Sequence, residues 1–389
     1  MGAVVLVVST STAGAATANT LYVSRPHGSN ANPCSASAPC QTIAFAVGKA
    51  RGGDTIIVEK GLYHQYVAVK KRLRIIGIGG PVDDLRGRNN GFNIAGPKAA
   101  GTVISGFTIE HATFEGIIAV RTSRVTISNN VVKDNDLGVH AKTPTGECAP
   151  FGGGPGDCGE GIHLLSVTDS KVTRNLVTGD TGGILLTDEK GPTARNLVSH
   201  NISLRNVLDC GITLAGHSPK ALSSTGKPQA KAAGVFGNTI TDNVANGNGT
   251  KGEGAGIVLA AGVPNGGVYD NLIKGNTAND NGLAGITIHS HDFGPKAPPA
   301  DLNGNKILDN KVSHDGLDAK SEAEFGGADF ATGNTVGILV GSGKVKLTGI
   351  VITGNVISNA HFGIYTKNAP SVSPTANTFR KVVVPVKQI

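Results

Sequence analysis

The sequence predicts an all-β chain folded as one right-handed parallel β-helix, a solenoid with a short N-terminal capping helix. Three observations predict it. The pattern Gly-aliphatic-x-aliphatic recurs along the chain, Asn-x4-Asn segments lie between those repeats, and helical periodicity is almost missing. The composition agrees. With 56 Gly, no Trp, one Met and 16% charged residues in 389, good helix formers are scarce, while turn formers and β-branched residues are plentiful.

The repeat runs GIIAV at Gly116, GVHA at Gly138, GIHL at Gly161, GILL at Gly183, GITL at Gly211, GIVL at Gly256, GITI at Gly285, GILV at Gly337 and GIYT at Gly363. Its first steps are 22, 23 and 22 residues, and the later steps of 28, 45, 29, 52 and 26 fit the same unit with inserted loops or a skipped coil. A unit this short cannot bury an apolar face alone, so coils must stack about 4.8 Å apart. In Gly-Ile-x-Leu the first and third residues after Gly point inward and the second points outward. The second signal falls at Asn130/Asn135, Asn196/Asn201/Asn206, Asn238/Asn243/Asn248, Asn271/Asn276/Asn281 and Asn305/Asn310. Asparagine tolerates the left-handed backbone of a tight corner, and stacked amides can hydrogen-bond as ladders.

At the ends, residues 2–9 (GAVVLVVS) followed by AGAATA resemble an export signal, so residues 1–18 are set apart as a signal peptide, with the start of the chain open. Residues 19–53 are expected to form an N-terminal cap with its helix at 42–50 (TIAFAVGKA), residues 54–372 the solenoid, and residues 373–389 a C-terminal cap or tail. No later stretch reaches the roughly 18 apolar residues of a membrane helix. The chain is expected to be secreted and monomeric.

A formal charge of +7 favours acidic partners such as uronate-rich polysaccharide. The cations are scattered, with clusters only at Lys70-Lys71-Arg72 and from Lys220 to Lys231, and nothing suggests a nucleic-acid groove. Cys34 and Cys40 flank one short segment and Cys148 and Cys158 another, so each couple is a candidate disulfide of an exported protein. Cys210 is left over as a small buried thiol.

LYVSRPHGSNANPC, PCQTIAFAVGKARGGDTIIVEKGLY and the Gly-Ile and Asn-rich coils resemble the pectin-lyase-like superfamily of right-handed β-helix proteins. The resemblance covers nearly the whole mature chain and implies the fold. It leaves the activity open among lyases, hydrolases, esterases, epimerases and adhesins.

Stacking turns single residues into columns. Asp136, Glu160, Asp180, Asp209 and Glu253 stand before repeat glycines, and Asp188, Glu189, His217, His289, His291 and Asp292 follow repeat strands. Outward positions between these rims are His140, His163, Leu185, Thr213, Val258, Thr287, Leu339 and Tyr365. Paired carboxylates serve as acid and base in glycoside hydrolysis. Asp180, Asp209 and Glu160 also resemble the polygalacturonase arrangement, although Asn-Thr-Asp, Gly-His-Gly and Arg-Ile-Lys are absent and no Asp-Asp doublet stands before these repeat glycines.

The expected catalytic residues are therefore Asp180, Asp209, His217, His289 and His291, with His140, His163, Asp188 and Tyr365 binding substrate. Glu160 and Asp292 are candidate metal ligands. A lyase often uses calcium to stabilise the anion formed next to a carboxylate, His289 and His291 project to the same side in a way that also suits a metal ion, and the cofactor is otherwise open. The expected function is binding and cleavage of an extracellular acidic polysaccharide by a lyase or glycoside hydrolase. The alternative is a non-catalytic cell-surface or matrix-binding solenoid, in which the acids and histidines are solvated turn residues.

Overall fold

The structure is a computed structural model that describes residues 18–140, 160–250, 254–291, 296–316, 335–342, 345–370 and 374–389. The proposed signal peptide, Cys148, Cys158, Glu253 and Asp292 fall outside those residues, as do the long segments 141–159 and 317–334.

Short strands pair in parallel, each with its counterpart one coil on, and build a three-faced solenoid. One face is an 11-stranded sheet running from Thr20–Val23 through Thr55–Glu59 and Thr126–Ser128 to Val351–Thr353. The other two faces merge into a 20-stranded sheet. The long strand Val356–Lys367 joins them, since it pairs at its start with Lys311–Ser313 and at its end with Val336–Gly341. The second face holds Val82–Asp84, Thr108–Glu110, Val131–Lys133 and Leu176–Thr178. The third, the Gly-Ile face, holds Ile117–Val120, Glu160–Leu165, Gly182–Thr187, Ile212–Gly216, Ile257–Ala261 and Ile286–Ser290.

On the Gly-Ile face, Ile117, Ile162, Ile184, Ile212, Ile257, Ile286, Ile338 and Ile364 are successive register partners, and each has no solvent exposure. Leu164, Leu186, Leu214, Leu259 and Ile288 make the parallel column. Leu186→Ala should therefore cost about 2–5 kcal/mol, as core truncations do. Urea unfolding measures it, and a loss under about 0.5 kcal/mol, the size of a surface effect, would contradict the buried column.

The repeat glycine has a packing cause. A Cβ on Gly161 would strike Val177 Cγ1 and the Asp180 carboxylate, and one on Gly183 would strike the Gly211 carbonyl oxygen and Ser203 Oγ. The Gly-Ile strand thus enters its face pressed against the inward side chain and corner residue of the neighbouring face.

Those corners are the Asn-x4-Asn signal. Asn130, Asn175, Asn201, Asn243, Asn276, Asn310, Asn355 and Asn377 form one ladder, each Nδ2 donating to the next Oδ1 at 3.0 Å. A second ladder runs Asn135, Asp180, Asn206, Asn248, Asn281, Asp315. A third joins Asn196, Asn238, Asn271 and Asn305. At about 1 kcal/mol net per hydrogen bond, and with each buried donor costly to leave unmet, the ladders fix the register of every coil.

The register refines the reading of the repeat. The 45-residue step from Gly116 to Gly161 spans a single coil with an insertion, because Ile117 pairs directly with Ile162. The GVHA motif forms no strand there; Leu137–His140 is a 3-10 turn. His140 is therefore not the neighbour of His163 one coil away. The step from Gly211 to Gly256 is likewise one coil with an insertion, not a skipped coil. Finally, pairing runs into both terminal segments, since Thr20–Val23 pairs with Thr55–Glu59 and Thr378–Gln388 pairs along Val356–Lys367.

The predicted helix forms at Ile43–Lys49, with Thr42 Oγ1 accepting from the Phe45 N–H, and it buries Ile43, Ala46 and Val47. Cys34 and Cys40 are disulfide-bonded. Cys210 is free and buried, and burial, then the Asp209 charge, push its thiol well up. Among the described residues no helix is long and apolar enough to cross a membrane.

Candidate functional site

The register column is Ile118, His163, Leu185, Thr213, Val258, Thr287, Leu339, Tyr365, so Ile118 takes the place expected for His140. Facing outward does not mean open to solvent here, because none of these side chains belongs to a residue more than 8% exposed. Toward the C-terminus the column is apolar. Val258 packs with Cys210, Ala255, Ala260 and Leu283, and Tyr365, expected to meet substrate, packs instead with Ala284, Val336, Leu339 and Phe362.

The polar part of the column is centred on His163. Its Nδ1 lies 3.0 Å from Glu115 Oε1 and its Nε2 2.9 Å from Thr187 Oγ1. A carboxylate at Nδ1 favours the tautomer that carries the ring proton there, which leaves Nε2 unprotonated and facing the Thr187 hydroxyl oxygen. Glu115 stands immediately before Gly116 and is the register partner of Glu160, given that Ile117 pairs with Ile162. It carries the same signal that singles out Glu160, an acid directly before a repeat glycine. Gly182 makes room there, since a Cβ would lie 2.8 Å from Glu160 Cγ and 3.3 Å from Asp209 Cβ.

The chain of polar contacts continues along the strand ends. His217 Nδ1 is 2.9 Å from Glu189 Oε1. Burial pushes the Glu189 carboxyl up, but the His217 hydrogen bond and charge, joined by His163 and Thr187, bring it down to about 2. Asp188 next to it is structural. Its oxygens accept the backbone N–H groups of His217 (2.8 Å), Ser218 (3.0 Å) and Gly234 (2.7 Å), which anchor the insertion after Ile212–Gly216. Burial raises its carboxyl to about 6 against those donors.

Two further groups lie apart from this centre. His289 is in register with Ala260, Ala215 and Thr187, so it shares the edge of Asp188 and His217 but lies two coils beyond His217. It packs edge-on to His291 at 5.4 Å, and burial, then the His291 charge, lower its pKa to about 3. It stays a neutral imidazole across the physiological range. Asp180 is a rung of the second ladder, accepting from the Asn135 backbone (2.8 Å) and amide (3.1 Å). Its carboxyl points into the corner of the solenoid, and Asp209, part-exposed beside Gly182, is the expected acid that stays near the surface.

Beyond the C-terminal edge of the same face, two adjoining open depressions of about 490 and 360 Å³ make one groove. Lys70, Lys98 and Arg121 line the first, and Arg121, Arg124 and Lys190 the second. Arg121 directly follows the strand whose Ile118 is the register partner of His163. Among the described residues none of these five cations is in an ion pair, whereas Arg86, Lys133, Arg195 and Lys274 elsewhere are. No sequence pattern marks the row, because its members come from different coils.

A family model described as periplasmic copper-binding protein (NosD) matches residues 155–285, less than half of the chain. A search of curated proteins finds no match. Among solved structures the chain is similar to the alginate lyase from Paenibacillus sp. str. FPU-7, at 14% identity over 94% of this chain and 99% of that one, with a TM-score of 0.53. It is also similar to the Dettilon tailspike protein (gp208), at 12% identity over 87% of this chain and 63% of that one, with a TM-score of 0.51. The A-module of the Azotobacter vinelandii mannuronan C-5 epimerase AlgE4 follows, with 14% identity, coverage of 89% and 92%, and a TM-score of 0.45.

The fold is a right-handed parallel β-helix. At such identities the likeness is one of fold. Within residues 155–285 no three His, Cys, Asp or Glu donor atoms of the described residues lie within 4.8 Å of one another. The described residues of that span thus hold no such ligand set for the copper binding in that family's description.

Proposed function

We propose that this protein binds an acidic polysaccharide along the basic groove and cleaves it by β-elimination, with His163 as the base. The observation that carries the reading is the row Lys70, Lys98, Arg121, Arg124 and Lys190, none of them in an ion pair among the described residues, along an open groove past the end of the strand whose Ile118 pairs with His163. Removing a proton next to a uronate carboxylate builds negative charge on that carboxylate, and a fixed guanidinium or ammonium stabilises it. Glu115 holds His163 in the tautomer whose Nε2 can take the proton, and Thr187 and Glu189 continue the hydrogen-bonded path toward His217. The Cys34–Cys40 disulfide supports an extracytoplasmic location.

A panel of uronate polymers, followed by ultraviolet absorbance of unsaturated ends alongside reducing-sugar release, tests the activity. His163→Gln, which keeps a hydrogen-bonding side chain opposite buried Glu115, should lower kcat roughly 10²–10⁴-fold, the usual share of a general base. Arg121→Glu should weaken binding and reduce its salt dependence. Reducing ends without absorbance would replace the lyase by a hydrolase.

A second reading, a non-catalytic binding solenoid, is favoured by the burial of His163 (6% exposed) and Glu115 (fully buried). It predicts salt-sensitive polymer binding that Arg121→Glu weakens, with no product from any polymer.

A further inference from the structure

The second face carries a donor cluster away from His163. Asp84 and Glu110 are register partners at the ends of Val82–Asp84 and Thr108–Glu110, so both side chains leave the same side of the sheet one coil, about 4.8 Å, apart. His111 follows Glu110 in the left-handed region at φ 61°. That turn brings its ring back to the preceding coil, with Nδ1 2.9 Å from Asp84 Oδ1. One donor atom from each of the three residues lies within 4.8 Å of the other two, and all three are half-buried.

We propose that Asp84, Glu110 and His111 form a binding site for one divalent first-row transition metal, with zinc as the type. One imidazole with two carboxylates is a mixed nitrogen and oxygen set, which such ions accept, whereas calcium and magnesium take oxygen ligands. With metal–ligand bonds of about 2.0–2.1 Å, adjacent ligand atoms stand about 3 Å apart, and the His111–Asp84 separation of 2.9 Å already meets that spacing.

The outer partners are also in place. Arg86 Nε is 3.4 Å from Asp84 Oδ2, and Lys133 Nζ is 2.8 Å from Glu110 Oε2. Lys133 holds one oxygen of Glu110, and Arg86 holds both oxygens of Asp84, its backbone N–H donating to Oδ1 at 3.2 Å, the kind of support that orients metal-binding side chains. An ion entering between Asp84 and His111 replaces the proton that now bridges them. Three protein ligands leave a coordination position for water, so the site is open. It lies outside residues 155–285, and it stands or falls independently of the proposed lyase activity.

Titration of zinc chloride into the full chain by calorimetry tests the site. One equivalent should bind, with His111→Ala and Glu110→Gln each weakening affinity at least tenfold while circular dichroism melting stays cooperative. His291→Ala should leave binding unchanged, and X-ray absorption at the zinc edge should report one imidazole with oxygen ligands. Absence of binding overturns the proposal. So does zinc uptake by His111→Ala equal to that of the parent, or uptake abolished by His291→Ala, which would place the ion at the His289/His291 pair.

Discussion

Asp180→Asn is expected to stabilise the protein above neutral pH and to leave its stability unchanged in acid. In the second ladder each Asn uses Oδ1 to accept from the previous coil and Nδ2 to donate onward, as Asn206 does to Asn248 at 2.9 Å. Asp180 puts Oδ2 where the amide nitrogen belongs, and that oxygen is buried without a partner. Only a protonated carboxyl can donate from that position. Burial raises the group from 3.8 to about 7, against the Asn135 donors, and Asp136 beside it is raised well above its ordinary value by burial and then by Asp180.

The folded pKa therefore lies above the unfolded one. Its stabilising contribution is complete below about pH 3.8 and is lost as pH rises through about 7. At about 1.4 kcal/mol per tenfold change in proton affinity, the loss is on the order of 4 kcal/mol once the carboxyl ionises. An amide has nothing to ionise. Urea unfolding of both proteins at pH 4 and pH 8.5 measures the difference: the variant should be more stable only at the higher pH. Equal stability at both would mean that Asp180 is charged and compensated in the folded state.

Gly183→Ala is expected to abolish or severely reduce folding, by more than the 1–3 kcal/mol of ordinary overpacking. The new methyl would meet the Gly211 carbonyl oxygen and Ser203 Oγ, with Asn206 Nδ2 at 2.9 Å. Two of these belong to the neighbouring coil or the ladder, and neither can move without breaking register. Gly341→Ala is the control. Gly341 sits in the same sheet at Val336–Gly341, yet a Cβ there has nothing among the described residues within 4 Å. Soluble yield and melting temperature should fall for Gly183→Ala and hold for Gly341→Ala. A Gly183→Ala protein that melts like the parent would remove the packing explanation of the repeat.

The same two residues mark how far the sequence reaches. Gly183 and Asp180 both stand in a periodic pattern, and the pattern is a local consequence of one coil stacked on the next, so it is written in every repeat. That made the solenoid, its inward Ile and Leu columns and its Asn corners legible. The role of Asp180 was not legible in the same way, because an acid before a repeat glycine reads as a rim residue until the ladder shows it replacing an asparagine. Glu115 carries that rim signal and does touch His163.

By itself, the sequence determined the fold class, the helix at Ile43–Lys49, the Cys34–Cys40 bridge and which Ile and Leu residues fill the core. These follow from periodicity and short-range closure, which a chain expresses residue by residue. Only the tertiary structure decided that the 45-residue steps each make one coil, that Tyr365 and His289 are buried, and that Lys70, Lys98, Arg121, Arg124 and Lys190 border one groove. The physical reason is register: neighbours across coils are separated by insertions of unequal length, so sequence distance carries no measure of their approach until the hydrogen-bonded ladders fix which residue lies above which.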